Sequence, residues 1–214
     1  MTDSIYDQLN AYGTVAKQRF VDNFSGSVLD TDRWSTHGSG TIAMDNSIDG
    51  GLKITSATTG VTRIDFSPSN AGKIRPFSGS GSVMITVAKL TQVLYGIMTH
   101  TKLQDMYYTE VGDYASISTY GDLNGLSSSQ KKFKFNSSEF TNVDLTIAES
   151  QLYLWHTYKL ELKSASTEAS VDGVLEGTGG ASIVANVQPA CETSASEGSA
   201  NSVGNIRYME CYNT

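Results

Sequence analysis

The chain has 214 residues, a formal net charge of −7 and a pI near 4.9. That length suits one large domain, and the acidic balance excludes a general nucleic-acid binder, which needs a basic stripe. No apolar run approaches the roughly 18 residues of a membrane span. Glycine is abundant (20) and proline scarce (3), a composition of short strands and tight turns rather than helices. No cationic segment followed by an apolar one opens the chain. A soluble protein made in a cytosol is therefore expected, unless a leader has been trimmed away.

Residues 1–19 differ from the rest of the chain. Ile5, Leu9 and Tyr12 recur at helical spacing, Asp3 or Ser4 can cap, and Gly13 ends the turn. This predicts a short amphipathic helix or arm, marginal alone in water. Its apolar side, with Tyr6 beside it, either packs on its own domain or docks on another subunit.

From Phe20 the pattern turns to strands. Phe20–Phe24 leads through Leu29-Asp30-Thr31-Asp32-Arg33 to Trp34. Strands are predicted over 41–45, 51–56, 62–66, 81–90, 93–100, 106–110, 115–120 and 131–136. Further strands are predicted over 142–148, 154–163, 168–171, 174–177, 183–194 and 205–213. Gly, Ser and Asn fill the gaps, so the fold is an all-β sandwich or barrel. No period of 20–50 residues repeats, which excludes solenoids and propellers. Tyr158, Leu160 and Leu162 alternate with Lys159, Glu161 and Lys163, the mark of a strand with one buried face. Asp172-Gly173 between short apolar runs predicts a two-residue hairpin turn, which needs positive φ at both positions.

Three segments together resemble the concanavalin A-like lectin/glucanase superfamily, in its laminin-G-like and laminarinase-like modules. One is the opening, Phe20-Val21-Asp22-Asn23-Phe24 with Leu29-Asp30 and Trp34. The second pairs Leu154-Trp155-His156-Thr157-Tyr158 with Val171-Asp172-Gly173-Val174. The third is the close, Asn205-Ile206-Arg207-Tyr208-Met209-Glu210-Cys211-Tyr212-Asn213. The resemblance covers about residues 20–214 and implies an antiparallel jelly-roll β-sandwich; it carries little about function. Trp34 and Trp155 are expected in the core, with ligand stacking as the alternative.

Retaining glucanases of that superfamily carry E-x-D-x-x-E on one strand, so that alternate residues place both carboxylates in the cleft. Here no Glu has an Asp two residues later, and Glu110 with Asp113 is the nearest acidic cluster. Hydrolytic chemistry is therefore expected to be absent, with no catalytic residue. His37, His100 and His156 are scattered, and His156 reads as structural. The Gly-Ser-Gly runs at 38–40 and 79–81 lack a following helix and read as turns. Lys131-Lys132-Phe133-Lys134 reads as a solvated strand end. Segments 45–49 and 120–125 hold oxygen ligands of the kind Ca²⁺ takes, but turns use the same residues. No metal or cofactor is expected.

Cys191 and Cys211 fall on sequential strands. If these pair as a hairpin around residue 199, position 191 lies opposite about 207. The four-residue offset is roughly 13 Å along a strand, beyond the ~7 Å a disulfide spans. Free thiols are expected.

The function that joins these readings is a non-enzymatic virion structural protein, for capsid decoration, a fibre or a tail, made in a host cytoplasm. Modules of this kind occur in phage structural proteins. The arm (Ile5, Tyr6, Leu9, Tyr12) would bind other virion proteins, and the lectin-like sandwich would lie outside. A homo-oligomer is expected, with no nucleic-acid or membrane partner. The alternative is a carbohydrate-binding module for a polysaccharide or cell-surface glycans. Tyr95, Tyr107, Tyr108 and Tyr120 would then stack on sugars.

Overall fold

The computed structural model describes residues 19–47, 50–57, 60–66, 81–93, 99–107, 114–119, 133–137, 140–144, 151, 153–179, 188–195 and 202–214. Residues 1–18 of the arm predicted over 1–19 and the segment 120–125 lie outside the described residues, and Arg19 opens the first strand. The chain forms β1 (Arg19–Asp22), β2 (Trp34–Gly38), β3 (Thr41–Asp45), β4 (Gly51–Thr55) and β5 (Gly60–Phe66). Then come β6 (Ser82–Val93), β7 (Thr99–Tyr107), β8 (Tyr114–Thr119), β9 (Phe133–Ser137) and β10 (Phe140–Asp144). The last five are β11 (His156–Leu162), β12 (Thr167–Val171), β13 (Val174–Gly179), β14 (Gln188–Ala195) and β15 (Ser202–Asn213).

All pairings are antiparallel and build two sheets, a jelly-roll sandwich as the sequence implied. The eight-stranded sheet runs β13-β12-β11-β6-β15-β4-β3, with β1 also on β15. The seven-stranded sheet runs β10-β9-β8-β7-β14-β5-β2. β15 is the long central strand. β6 lines one edge of it from Ser202 to Asn213. β4 takes the first part of the other edge and β1 the last.

The core lies between the sheets. Leu52, Ile54, Met84, Leu160, Ile206 and Met209 meet Trp34, Ile64, Ile117 and Cys191 there. Each large apolar side chain removed from water contributes about 1.5–3 kcal/mol. The alternation in β11 holds as read: Tyr158, Leu160 and Leu162 are buried and Lys159 and Glu161 are not.

Trp34 is fully buried, and its Nε1–H donates to Asp22 Oδ2 at 2.7 Å. The other oxygen of Asp22 accepts the Phe24 amide at 2.8 Å. One carboxylate thus ties β1 to β2, and Phe20 and Phe24 pack on the Trp34 ring at 5.5 and 5.6 Å.

Trp155 departs from expectation. It is half-buried and outside the core cluster. It stands just before β11, and its ring lies against Lys89 and Arg207 rather than between the sheets. Strand β2 is also new, since Ser35-Thr36-His37-Gly38 carries no apolar alternation.

The cysteines are free and buried, but not for the reason the spacing suggested. β14 and β15 do not pair as a hairpin; they lie in different sheets. Burial, with Glu210 beside it, pushes the Cys211 thiol well up from its ordinary range, so it is an inert filler.

The Asp172-Gly173 turn has φ of 49° and 83°, as a two-residue hairpin requires. His156 explains why its sequence partner matters. Its Nδ1 lies 2.6 Å from Asp172 Oδ2 and its Nε2 lies 2.9 Å from the Gln151 carbonyl. Asp172 Oδ1 accepts the Thr157 amide at 2.9 Å, and the Asp172 amide donates to the Thr157 carbonyl. Partial burial works to raise the Asp172 carboxyl, but the Thr157 amide and His156 outweigh it and hold the group below its ordinary range.

A carboxyl depressed in the folded state stabilises above its unfolded pKa, about 3.9, and loses that contribution as pH falls through the folded value. Denaturant unfolding should therefore separate wild type from Asp172→Asn at pH 6, with the gap closing below about pH 4. Gly173 has open space around its missing Cβ, so only backbone strain opposes a side chain there. Gly173→Val should cost about 1–2 kcal/mol by thermal melting.

Candidate active site on the seven-stranded sheet

The seven-stranded sheet turns Thr62, Ile64 and Cys191 toward the core region and Arg63, Asp65 and Glu192 away from it. The register fixes their relation. Glu192 stands across from Arg63, and Ala190 across from Asp65, where β14 pairs β5. On the other side of β5, His37 of β2 stands across from Arg63. Asp65 and Glu192 are therefore diagonal neighbours, about 7–8 Å apart at Cα.

This outer face is not a solvated surface. The side chains of Asp65 and Glu192 are only 3% and 6% exposed. Arg63 lies between them. Its Nε is 3.1 Å from Asp65 Oδ2, an ion pair without an aligned hydrogen bond. Its Nη1 is 3.9 Å from Glu192 Oε2. Asp65 Oδ1 also meets His37 Nε2 at 3.0 Å. His37 is 49% exposed, so the cluster runs from a solvent-facing imidazole to buried carboxylates. Farther across the sheet, the register sets Asp105 opposite Ala190 and Lys102 opposite Glu192. Ser116 and Ser118 come next, on β8.

Withdrawing a carboxylate from water costs several kcal/mol, which neutralising partners must offset. The arrangement sets one partly exposed guanidinium beside two buried acids. It can hold two carboxylates at fixed spacing, and it can accept hydrogen bonds from hydroxyl-rich ligands.

Sequence reasoning missed this cluster. It looked for paired acids on one strand, whereas Asp65 and Glu192 come from adjacent strands joined only by the fold. The available signal was Thr62-Arg63-Ile64-Asp65-Phe66, whose alternate charges mark a second face. Of the sugar-stacking residues named from sequence, Tyr107 closes β7 opposite Tyr114 and Gln188. Tyr95, Tyr108 and Tyr120 lie outside the described residues, as do Glu110, Asp113, Ile5, Tyr6, Leu9 and Tyr12.

No family model and no curated protein matches this chain. Solved structures do. A Crh5 transglycosylase superposes with a TM-score of 0.64 at 13% identity, covering 92% of this chain and 85% of that one. The β-glucanase of Bacillus licheniformis gives 0.63 at 11%, covering 92% and 98%. A glycoside hydrolase family 16 endo-glucanase from Bacteroides ovatus gives 0.62 at 12%, covering 89% and 98%. The fold is thus the concanavalin A-like jelly roll of those enzymes.

Two expectations are corrected by these neighbours. The non-enzymatic virion structural protein does not stand, because the matching folds are glycoside hydrolases and a transglycosylase. The exclusion of enzyme activity falls with it. Its premise was that both acids must share one strand, and two adjacent strands here supply a carboxylate each.

Arg63→Met would remove the cation that stands beside both buried carboxylates. Breaking a buried ion pair by removing one partner costs about 3–5 kcal/mol, so equilibrium unfolding should show a loss of that size. Adding Asp65→Asn to the variant should recover part of it.

Proposed function

We propose that the chain is a carbohydrate-active protein that binds a polysaccharide over the outer face of the seven-stranded sheet. The observation that carries this is the pair of buried acids, Asp65 and Glu192, with Arg63 beside them on the face turned away from the core, in a fold shared with glucanases. A solvated face has no need of desolvated charges. A face that receives sugar hydroxyls does, because paired carboxylates and guanidinium groups offer fixed acceptors and donors. His37, half exposed at the border of the cluster, is the member of it best placed to touch the glycan.

Cleavage or transfer of a glycosidic bond is the second reading. It is favoured by the diagonal placement of Asp65 and Glu192. Glycosidases hold their two carboxyl groups about 5–5.5 Å apart when retaining and about 6.5–9.5 Å apart when inverting. Diagonal cross-strand residues fall within that reach. Asp65 lies between the His37 imidazole and the Arg63 guanidinium, and Glu192 lies farther from the guanidinium, so the two acids sit in different surroundings.

Affinity electrophoresis against β-glucans and galactans tests the binding, and release of reducing ends tests the chemistry. At least one neutral polysaccharide should retard the protein, and His37→Ala should weaken that retardation. Reducing ends, where they appear, should vanish in Glu192→Gln and in Asp65→Asn. Binding that is absent throughout, or equal in wild type and the His37, Asp65 and Glu192 variants, would remove this face as the glycan site.

A further inference from the structure

The opposite outer face, on the eight-stranded sheet, carries a second cluster of different chemistry. Lys53 of β4 and Lys89 of β6 both stand across from Asn205 of β15, one on each side. Leu52, Ile54, Ala88 and Ile206 point into the core, so this row points out. Two strand spacings separate the lysine Cα atoms by about 10 Å. Arg207 comes next, at the bulge in β15, and is exposed. Trp155 organises the cations: Lys89 Nζ lies 4.8 Å and Arg207 Cζ 4.6 Å from its ring centroid.

Three features of this cluster are unexplained by the fold. Like charges are gathered on a protein whose net charge is −7. Among the described residues, no carboxylate lies within ion-pair distance of Lys53, Lys89 or Arg207. The acid that senses them is Asp45. Its carboxyl is held below the ordinary range first by the Ser47 amide and hydroxyl, with Lys53 and Lys89 adding to that. Asp45 and Arg207 also border one cleft of about 480 Å³, together with Asn23, Ser25 and Gly51. Third, the Trp155 indole N–H is shielded yet lacks a hydrogen-bond partner among the described residues. The cation–π contacts position the charges without neutralising them.

We propose that Lys53, Lys89, Arg207 and Trp155 form a binding site for the oxyanions of an acidic polysaccharide, whether sulfate half-esters or carboxylates. Lys89 and Arg207 contact the anion directly, and Trp155 is the positioning residue that spaces them. The net charge of −7 repels a polyanion at long range, and this cationic patch offsets that repulsion locally. Three cations are too few for the phosphate-tracking stripe of a nucleic-acid binder. The site is independent of the Asp65–Glu192 face.

The full-length protein is titrated with dextran sulfate, with polygalacturonate and with neutral dextran, monitored by tryptophan fluorescence. Trp34 is buried with its N–H on Asp22, so a saturable change should come from Trp155 and disappear in Trp155→Phe. One or both acidic glycans should bind, with affinity falling as salt rises, and neutral dextran should not. The pair of acidic probes tells sulfate recognition from carboxylate recognition. Lys89→Gln/Arg207→Gln should bind roughly tenfold or more weakly, the size expected for lost charge-assisted contacts. No saturable response in wild type overturns the proposal, and needs no variant to fold. So do equal binding of neutral dextran, unchanged affinity in the double variant, and tighter binding of duplex DNA than of either glycan.

Discussion

Arg63 holds two carboxylates that have left water on a sheet face turned away from the apolar core. The pairing of β5 with β14 makes this possible. Each strand has two sides, and where Asp65 and Glu192 stand even the side away from the core is withdrawn from solvent. Ile64 and Cys191 are buried on one side, Asp65 and Glu192 on the other. The apolar side is what any sandwich requires. The charged side is not, because each desolvated acid works against folding until a partner offsets it. Slipping the register of β5 by one residue would exchange the two sides, placing charge in the core and Ile64 outside. The core and the polar face therefore specify the same register.

Asp22 does comparable work at the edge of the molecule. It accepts the Trp34 indole N–H with one oxygen and the Phe24 amide with the other. Phe24 sits at a φ of 45°, costly for a residue with a side chain. The ring packing on Trp34 and the Asp22 bond hold it there. This gives the opening motif a physical reason: the aspartate and the tryptophan are two halves of one contact across the sheets. His156 and Asp172 are the same kind of pair, a side chain at the start of one strand fastening the turn between the next two. Sequence motifs of this type report how a fold is held. They are silent on what the fold does.

That difference explains what is legible in the sequence. β3 can be read with its bounds, and β11 to β13 nearly so, because alternation and a glycine turn are local signals. β2 cannot, because Trp34 alone faces inward and the rest of the strand is polar. The long pairing of β6 with β15 is invisible, since it joins residues far apart in the chain. Adjacent strands β14 and β15 look like a hairpin, yet the chain crosses from one sheet to the other between them. The candidate site escapes for the same reason. Arg63 and Asp65 announce a polar face by alternation, but nothing local says that this face is buried or that Glu192 lies beside it. A search confined to one strand finds only acids that are neighbours in sequence.

The two outer faces of the sandwich differ in how their charge is balanced, and this separates what each can receive. On the seven-stranded sheet Arg63 sits beside both acids, so part of their charge is met within the face itself. Such a face favours neutral, hydroxyl-rich ligands, which gain hydrogen bonds without bringing charge. On the eight-stranded sheet Lys89 and Arg207 flank an indole that supplies polarisability but no negative charge. A neutral ligand gains little from that excess, whereas an oxyanion gains Coulomb energy that the fold itself has left uncollected. The same long strand, β15, contributes Arg207 to the outside and Ile206 to the core. The cationic face is therefore anchored in the most extensively paired part of the molecule, and its spacing is as rigid as the sandwich.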